Sequence, residues 1–403
     1  MNVRNVRKAL LAVLILAPFS PLAGQSANYE AVHVDQRPRT PLVTIGIRLP
    51  IGSERDGSGL AGTAWLLGNT LAAQANTALE PRAGITVEVG RRSTLFTLST
   101  PPEQWRSAWS TLDRTLFDAE LDPDAFQQER SMLSDELRFH QGSPTLDFER
   151  ESVQLLSSPS SPWARPTRGT LESIESITAQ EMEALRRSSY LAADAVAAMI
   201  GASVPAAPLA RQSAGASRSP DGPAWFVGTR LTLTQEVTST WISFAYPVAG
   251  PVPRTALDFV AHLIQARLST VPPDPNRFGL SVRVIDAPLG SVITVEAAVA
   301  PEAADRFERE IPRVVTSLTE QPPPADFFGW DRRRFRAAQL LTDSSPDHAV
   351  ARITSDLLRG GQARDLAEEI WEITPRALAA ALLALGEPRI LRLGPDLEGN
   401  DIP

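Results

Sequence analysis

Two short apolar runs, VTIGIRLP at 43–50 and TWISFAYP at 240–247, read as strands, and the segments after each of them are alike. A turn leads into an apolar helix, over 59–73 in one case and 254–268 in the other. Then GITVEVGRRSTLFTLST from Gly84 and GLSVRVIDAPLGSVITVEA from Gly279 alternate apolar and polar residues. That alternation predicts a pair of half-buried strands in each place. Amphipathic helices come next, PEQWRSAWSTLDRTLF and PEAADRFEREIPRVVTSL. After a proline-bearing break a further helix comes in each, PDAFQQERSMLSDELRF and PADFFGWDRRRFRAAQLL. Late in each run ITAQEMEAL at 177 and ITPRALAAAL at 373 lead to terminal strands, AVAAMIG and RILRLGP.

These features keep an offset near 195–197 residues. Several matches at one offset predict two copies of one α+β unit, each an antiparallel sheet covered by helices. The stretch 204–223, VPAAPLARQSAGASRSPDGP, has no apolar period and is rich in Pro, Ala and Ser, so it reads as a linker. The halves are then 28–203 and 224–403. Hydrophobic residues make up 43 % of the 403, enough for two sizeable cores.

Residues 1–27 read as a secretory signal. Arg4, Arg7 and Lys8 precede the apolar run Ala9–Phe19, and small residues come after it. The run is shorter than the roughly 20 residues a membrane span requires, and Pro18 and Pro21 interrupt its end. Export to a bacterial periplasm is the expectation, with no span in the mature chain. Cleavage would remove Arg4, Arg7 and Lys8 and no acid, taking the formal charge from −8 to −11. An acidic chain argues against nucleic acid and anionic membranes as partners. Lys8 is the only lysine, which removes P-loop and lysine-based chemistry. The absence of cysteine removes disulfides, thiol nucleophiles and thiolate metal sites.

Three segments carry a resemblance. They are the strand–turn–GLA–helix at 43–73, FQQERSMLSDELRF at 126–139 and SPWARPTRGTLESIESITAQEMEAL at 161–185. Together with the duplication they resemble the pitrilysin or insulinase-like zinc metallopeptidases, the family of mitochondrial processing peptidase. In active members GLA runs directly into H-x-x-E-H, whose two histidines bind zinc while the glutamate activates water. Laid onto this chain, the first histidine position is Gly62, the glutamate position Trp65 and the second histidine position Leu66. No shift of register restores them, because 57–80 contains no His and no acid before Glu80. The later glutamate pair of the family falls on Glu129 and Glu136. They are two helical turns apart and share a face, and a carboxylate alone makes a poor zinc site. The Arg and Tyr that hold substrate in active members fall on Pro275 and Val282. LSTVPPDPN, just before, lacks the glycine-rich loop of some non-catalytic subunits.

The resemblance therefore implies a non-catalytic member, with no metal of its own. It would pair as a heterodimer with an H-x-x-E-H zinc peptidase and enclose a peptide-degrading or processing chamber. The alternatives are a stand-alone peptide-binding or structural scaffold of the same fold, and an active peptidase with an unrecognised site. In active members the substrate lies along a sheet edge, which places a peptide on Thr86, Val87, Glu88 and Val89. His33, His140, His262 and His348 are scattered, and no G-x-S-x-G occurs.

Overall fold

A computed structural model describes residues 29–157, 160–202, 204, 230–269, 274–288, 290–321, 323–360 and 362–395. The leader and most of the linker lie outside the described residues. The first half runs β1 (Ala31–Gln36), β2 (Val43–Leu49), α1 (Thr63–Ala78), β3 (Gly84–Val89), β4 (Thr94–Thr100), α2 (Trp105–Phe117), α3 (Pro123–Phe139), α4 (Pro144–Gln154), α5 (Leu171–Ser176), α6 (Ala179–Ser189) and β5 (Val196–Gly201). The second runs β6 (Arg230–Thr234), β7 (Thr240–Pro247), α7 (Arg254–Leu268), β8 (Arg277–Ala287), β9 (Gly290–Val299), α8 (Ala304–Glu320), α9 (Ala325–Asp343), α10 (Pro346–Gly360), α11 (Leu366–Glu369), α12 (Pro375–Leu383) and β10 (Arg389–Gly394).

Each half forms a five-stranded sheet, in the order β1-β5-β2-β4-β3 and β6-β10-β7-β9-β8. The two orders are the same once each strand is matched to its counterpart, so the duplication extends to topology. The sheets are mixed, which corrects the antiparallel reading: β1 runs parallel to β5 and β6 parallel to β10. Both parallel pairs involve the first strand of a half, AVHVDQ and RLTLT. These strands are short and carry polar residues, so they give little apolar signal.

The start of α3 is set locally. Asp122 caps it, its side chain accepting the Asp124 N–H, and Pro123 fills the first turn, where its missing N–H costs nothing. Thr178 and Glu181 form a reciprocal capping box at α6. On one face of the first sheet, α1 and its neighbours bury Ile45, Ile47, Phe96 and Leu98.

The opposite face of that sheet is covered by the other half. Val196, Ala198 and Ile200 of β5 pack with Ala349, Val350, Ile353 and Leu357 of α10. Gly46 permits the approach, because a Cβ there would lie 3.0 Å from Val350 Cβ. Arg48 reaches from β2 to α10, donating to Thr354 Oγ1 at 3.1 Å and the Ala351 carbonyl at 3.1 Å. The reciprocal contact is smaller. Leu156, just past α4, packs on Ala245, Ala287 and Val292 of the second sheet, and Arg389 donates to the Leu155 carbonyl at 2.8 Å. Each half thus lends a helical segment to the other's sheet. That is why β5 is buried along its whole length.

Candidate functional site

The turn before α1 is organised by Asp56. Its carboxylate accepts the N–H of Gly62 at 2.7 Å and of Ala64 at 2.8 Å, satisfying donors that the helix leaves open. The residue is 3 % exposed. Burial pushes its carboxyl up to about 6, against the pull of the N–H groups of Ala64 and Gly62 and of the Arg165 guanidinium. Arg165 also donates to the Asp56 carbonyl.

Gly62 itself is left-handed, with φ +92°. A Cβ there would fall 2.6 Å from Ile174 Cδ1 and 2.7 Å from the Arg168 carbonyl oxygen. No side chain larger than a hydrogen fits, so the first histidine position is closed by the 165–176 segment. Leu66 is 1 % exposed and belongs to the core of the first half. Trp65 is partly buried and packs on that core. The Arg168 guanidinium sits 4.9 Å above its ring and donates to Glu136 Oε1 on α3. The structure thus joins three of the sequence candidates, Gly62, Trp65 and Glu136, through one residue that the sequence motifs do not single out. An arginine cation stacks where the general base would stand.

Glu129 shares the Glu136 face of α3, and partial burial raises its carboxyl pKa. His140 caps the end of α3 and lies edge-on to Phe139 at 5.1 Å rather than facing Glu136 across a metal. His262 packs against Phe335 at 5.4 Å, and burial lowers its pKa. Among the described residues no group of three or more His, Asp or Glu is placed to hold a metal ion. A backbone with no room for a ligand at Gly62, a core leucine and a stacked tryptophan do not fit zinc.

Among the described residues β3 forms an outer edge of the first sheet and pairs only with β4. Thr86 and Glu88 have exposed side chains, Val89 is buried, and Val87 packs toward α1 beside Gly68. In the second half Val282 lies in β8 opposite Val295, with no hydroxyl to offer.

No family profile matches the sequence, and no curated protein does. Solved structures do match. An inactive domain of a peptidase M16 from Pseudomonas fluorescens superposes with TM-score 0.72 at 15 % identity, covering 92 % of this chain and 97 % of that one. The chain has the M16 peptidase fold. This is the insulinase-like fold that the duplication and the three segments implied. A chain of complex III2 from Candida albicans superposes on this one at TM-score 0.71 and 15 % identity, covering 92 % of this chain and 95 % of that one. The periplasmic protease PqqL from Escherichia coli matches at TM-score 0.64 and 12 % identity. It covers 96 % of this chain, which spans 48 % of that one.

Asp56 and Arg168 are the residues that sequence motifs miss. Both stand inside stretches already suspected of function, IGSERDGSGLAG and ARPTRGT. They are hidden because neither replaces a catalytic residue. They hold the turn around the positions that lost theirs.

Proposed function

We propose that this chain is the non-catalytic subunit of a heteromeric zinc peptidase, exported to the periplasm and paired with a chain bearing H-x-x-E-H. The observation that carries the reading is the state of the M16 helix. The base position holds Trp65 under Arg168, and the first ligand position is sterically closed at Gly62. The zinc and the activated water would belong to the partner. This chain would complete the chamber, stabilise the catalytic chain and hold the peptide as an added strand on β3. PqqL, a protease about twice as long as the part this chain matches, has room for a second unit of this size in one polypeptide. The proposed division is into 28–203 and 224–403 about a 204–223 linker.

The test is affinity purification of the tagged chain from its native periplasm, with mass spectrometry of the proteins that accompany it. A stoichiometric H-x-x-E-H peptidase supports the reading, and peptide cleavage should then require both chains. Recovery of the chain alone would shift the weight to a stand-alone scaffold. That second reading is favoured by the structural match to a chain of complex III2.

A further inference from the structure

The two halves leave a cleft of about 700 Å³ at one end of their junction. It is lined by the turn between β1 and β2, by Thr44 and Ser99 of the first sheet, and by the start of α10 from the second half. It lies where β2 begins, whereas the turn into α1 leaves from the other end of β2, so it is separate from the site around Gly62. Clefts of this size take small organic ligands and favour the joints between units.

The alternation of β2 explains the floor of the cleft. Ile45 and Ile47 belong to the core beneath α1, so Thr44 faces α10, on the same side as Gly46 and Arg48. Thr44 is 2 % exposed, and its hydroxyl has no hydrogen-bond partner among the described residues. A buried hydroxyl is ordinarily paired, so this one leaves a bond open to whatever enters. Ser99 stands opposite it in β4, and its hydroxyl is also without a partner among the described residues.

The charges at the mouth are of both signs. Arg37 is engaged, pairing with Asp35 at 2.8 Å and donating to the Asp343 carbonyl at 2.6 Å, and so braces one half against the other. Arg39 and Asp347 are exposed on the same cleft, one from each half. Neither side chain makes an ion pair or hydrogen bond among the described residues, with the other or with anything else. Asp347 stands in the first turn of α10, so that helix end already has its negative charge and draws a cation rather than a second carboxylate. Leu42 and Pro346 supply apolar wall. A plain anion would meet Asp347 here, and a plain cation would meet Arg39. The complement of an open cation and an open anion facing one polar floor is a zwitterion.

We propose that this cleft binds a short peptide with both termini free, its carboxylate on Arg39, its ammonium on Asp347 and its backbone over Thr44 and Ser99. The site is distinct from the β3 edge and holds whether or not the chain pairs with a catalytic one. A peptide seated there touches both halves, so it stabilises them in the joined state.

The full chain is titrated calorimetrically with Ala-Ala, with N-acetyl-Ala-Ala, which lacks the ammonium, and with Ala-Ala amide, which lacks the carboxylate. Wild type is compared with Arg39→Gln and Asp347→Asn. Both side chains are exposed, so thermal melts of the free variants should match wild type. Ala-Ala should bind at least tenfold tighter than either capped form and raise the melting temperature. Arg39→Gln should erase the preference over the amide, and Asp347→Asn the preference over the acetylated form. An acetylated peptide that binds as well as the free one overturns the proposal in favour of a plain anion site. Binding and preferences that both variants keep overturn the cleft as the site. If Thr86→Pro or Val87→Pro then removes that binding, the peptide lies on β3 and the proposed function stands. No binding of Ala-Ala at millimolar concentration overturns the proposal outright.

Discussion

At the scale of single residues, the turn before α1 does its work through three contacts. Gly62→Ala should destabilise the chain by about 2 kcal/mol or more, because the methyl group meets Ile174 and the Arg168 backbone and the left-handed φ is strained for alanine. Thermal melts read this directly. Rebuilding the motif as Gly62→His/Trp65→Glu/Leu66→His should yield no stoichiometric zinc after dialysis and elemental analysis, since the histidine has no space to occupy. Asp56 gives a pH signature. Its carboxyl holds a proton to about pH 6 when folded, against 3.8 as the ordinary value. Between those limits the folded state binds more protons than the unfolded state, so this site adds stability as pH falls from 7 toward 4. The whole window is worth on the order of 3 kcal/mol. Urea midpoints for wild type minus Asp56→Asn should therefore rise between pH 7 and pH 5, and a flat difference would sink the assignment. The Arg168–Glu136 pair is half-exposed and worth under about 1 kcal/mol in water, so its role is placement more than stability.

Elements were legible in the sequence to very different degrees. α3 and α7 occupy the predicted spans, because Asp122–Pro123 marks one start and the apolar period marks the other. α8 runs on through Pro312, so an internal proline did not divide it. The opening strands β1 and β6 were not legible, since His33 and Asp35 in one and three exposed positions in the other hide any apolar face. For the candidate site, the missing motif could be read but the closure could not. A sequence shows that histidine is gone from position 62, and only the path of 165–176 shows that nothing could replace it. The peptide edge is open to test at this scale. Adjacent N–H groups of β3 point alternately toward β4 and away from it. Of Thr86→Pro and Val87→Pro, one should remove an outward donor and abolish peptide capture while circular dichroism stays native. Equal affinity in both variants, measured by fluorescence anisotropy, would remove β3 as the peptide platform.

For the molecule as a whole, helical periodicity says that α10 has an apolar face but not whose sheet it covers. The structure gives that face to the other half, and an ionic chain inside the second half holds α10 in place. Arg352 joins Asp343 at 2.8 Å and Asp356 at 3.2 Å, Arg364 joins Asp356 at 2.9 Å, and Arg254 joins Asp258 at 3.0 Å. Asp356 is almost wholly buried, so removing any single partner leaves a charge poorly compensated. The halves should consequently unfold as one unit. Calorimetry should show a single transition, and 28–203 expressed alone should bind hydrophobic dye. Gly46→Leu should force α10 off β2 and split the transition in two.

The exchange also fixes an order of events in time. One face of the first sheet is assembled from residues up to 201, yet its cover comes from 346–360. During synthesis that face stays bare while about 150 further residues are made. β10, which lies between β6 and β7, comes later still, at 389–394. The first half must therefore wait, sticky and unfinished, for the end of the chain.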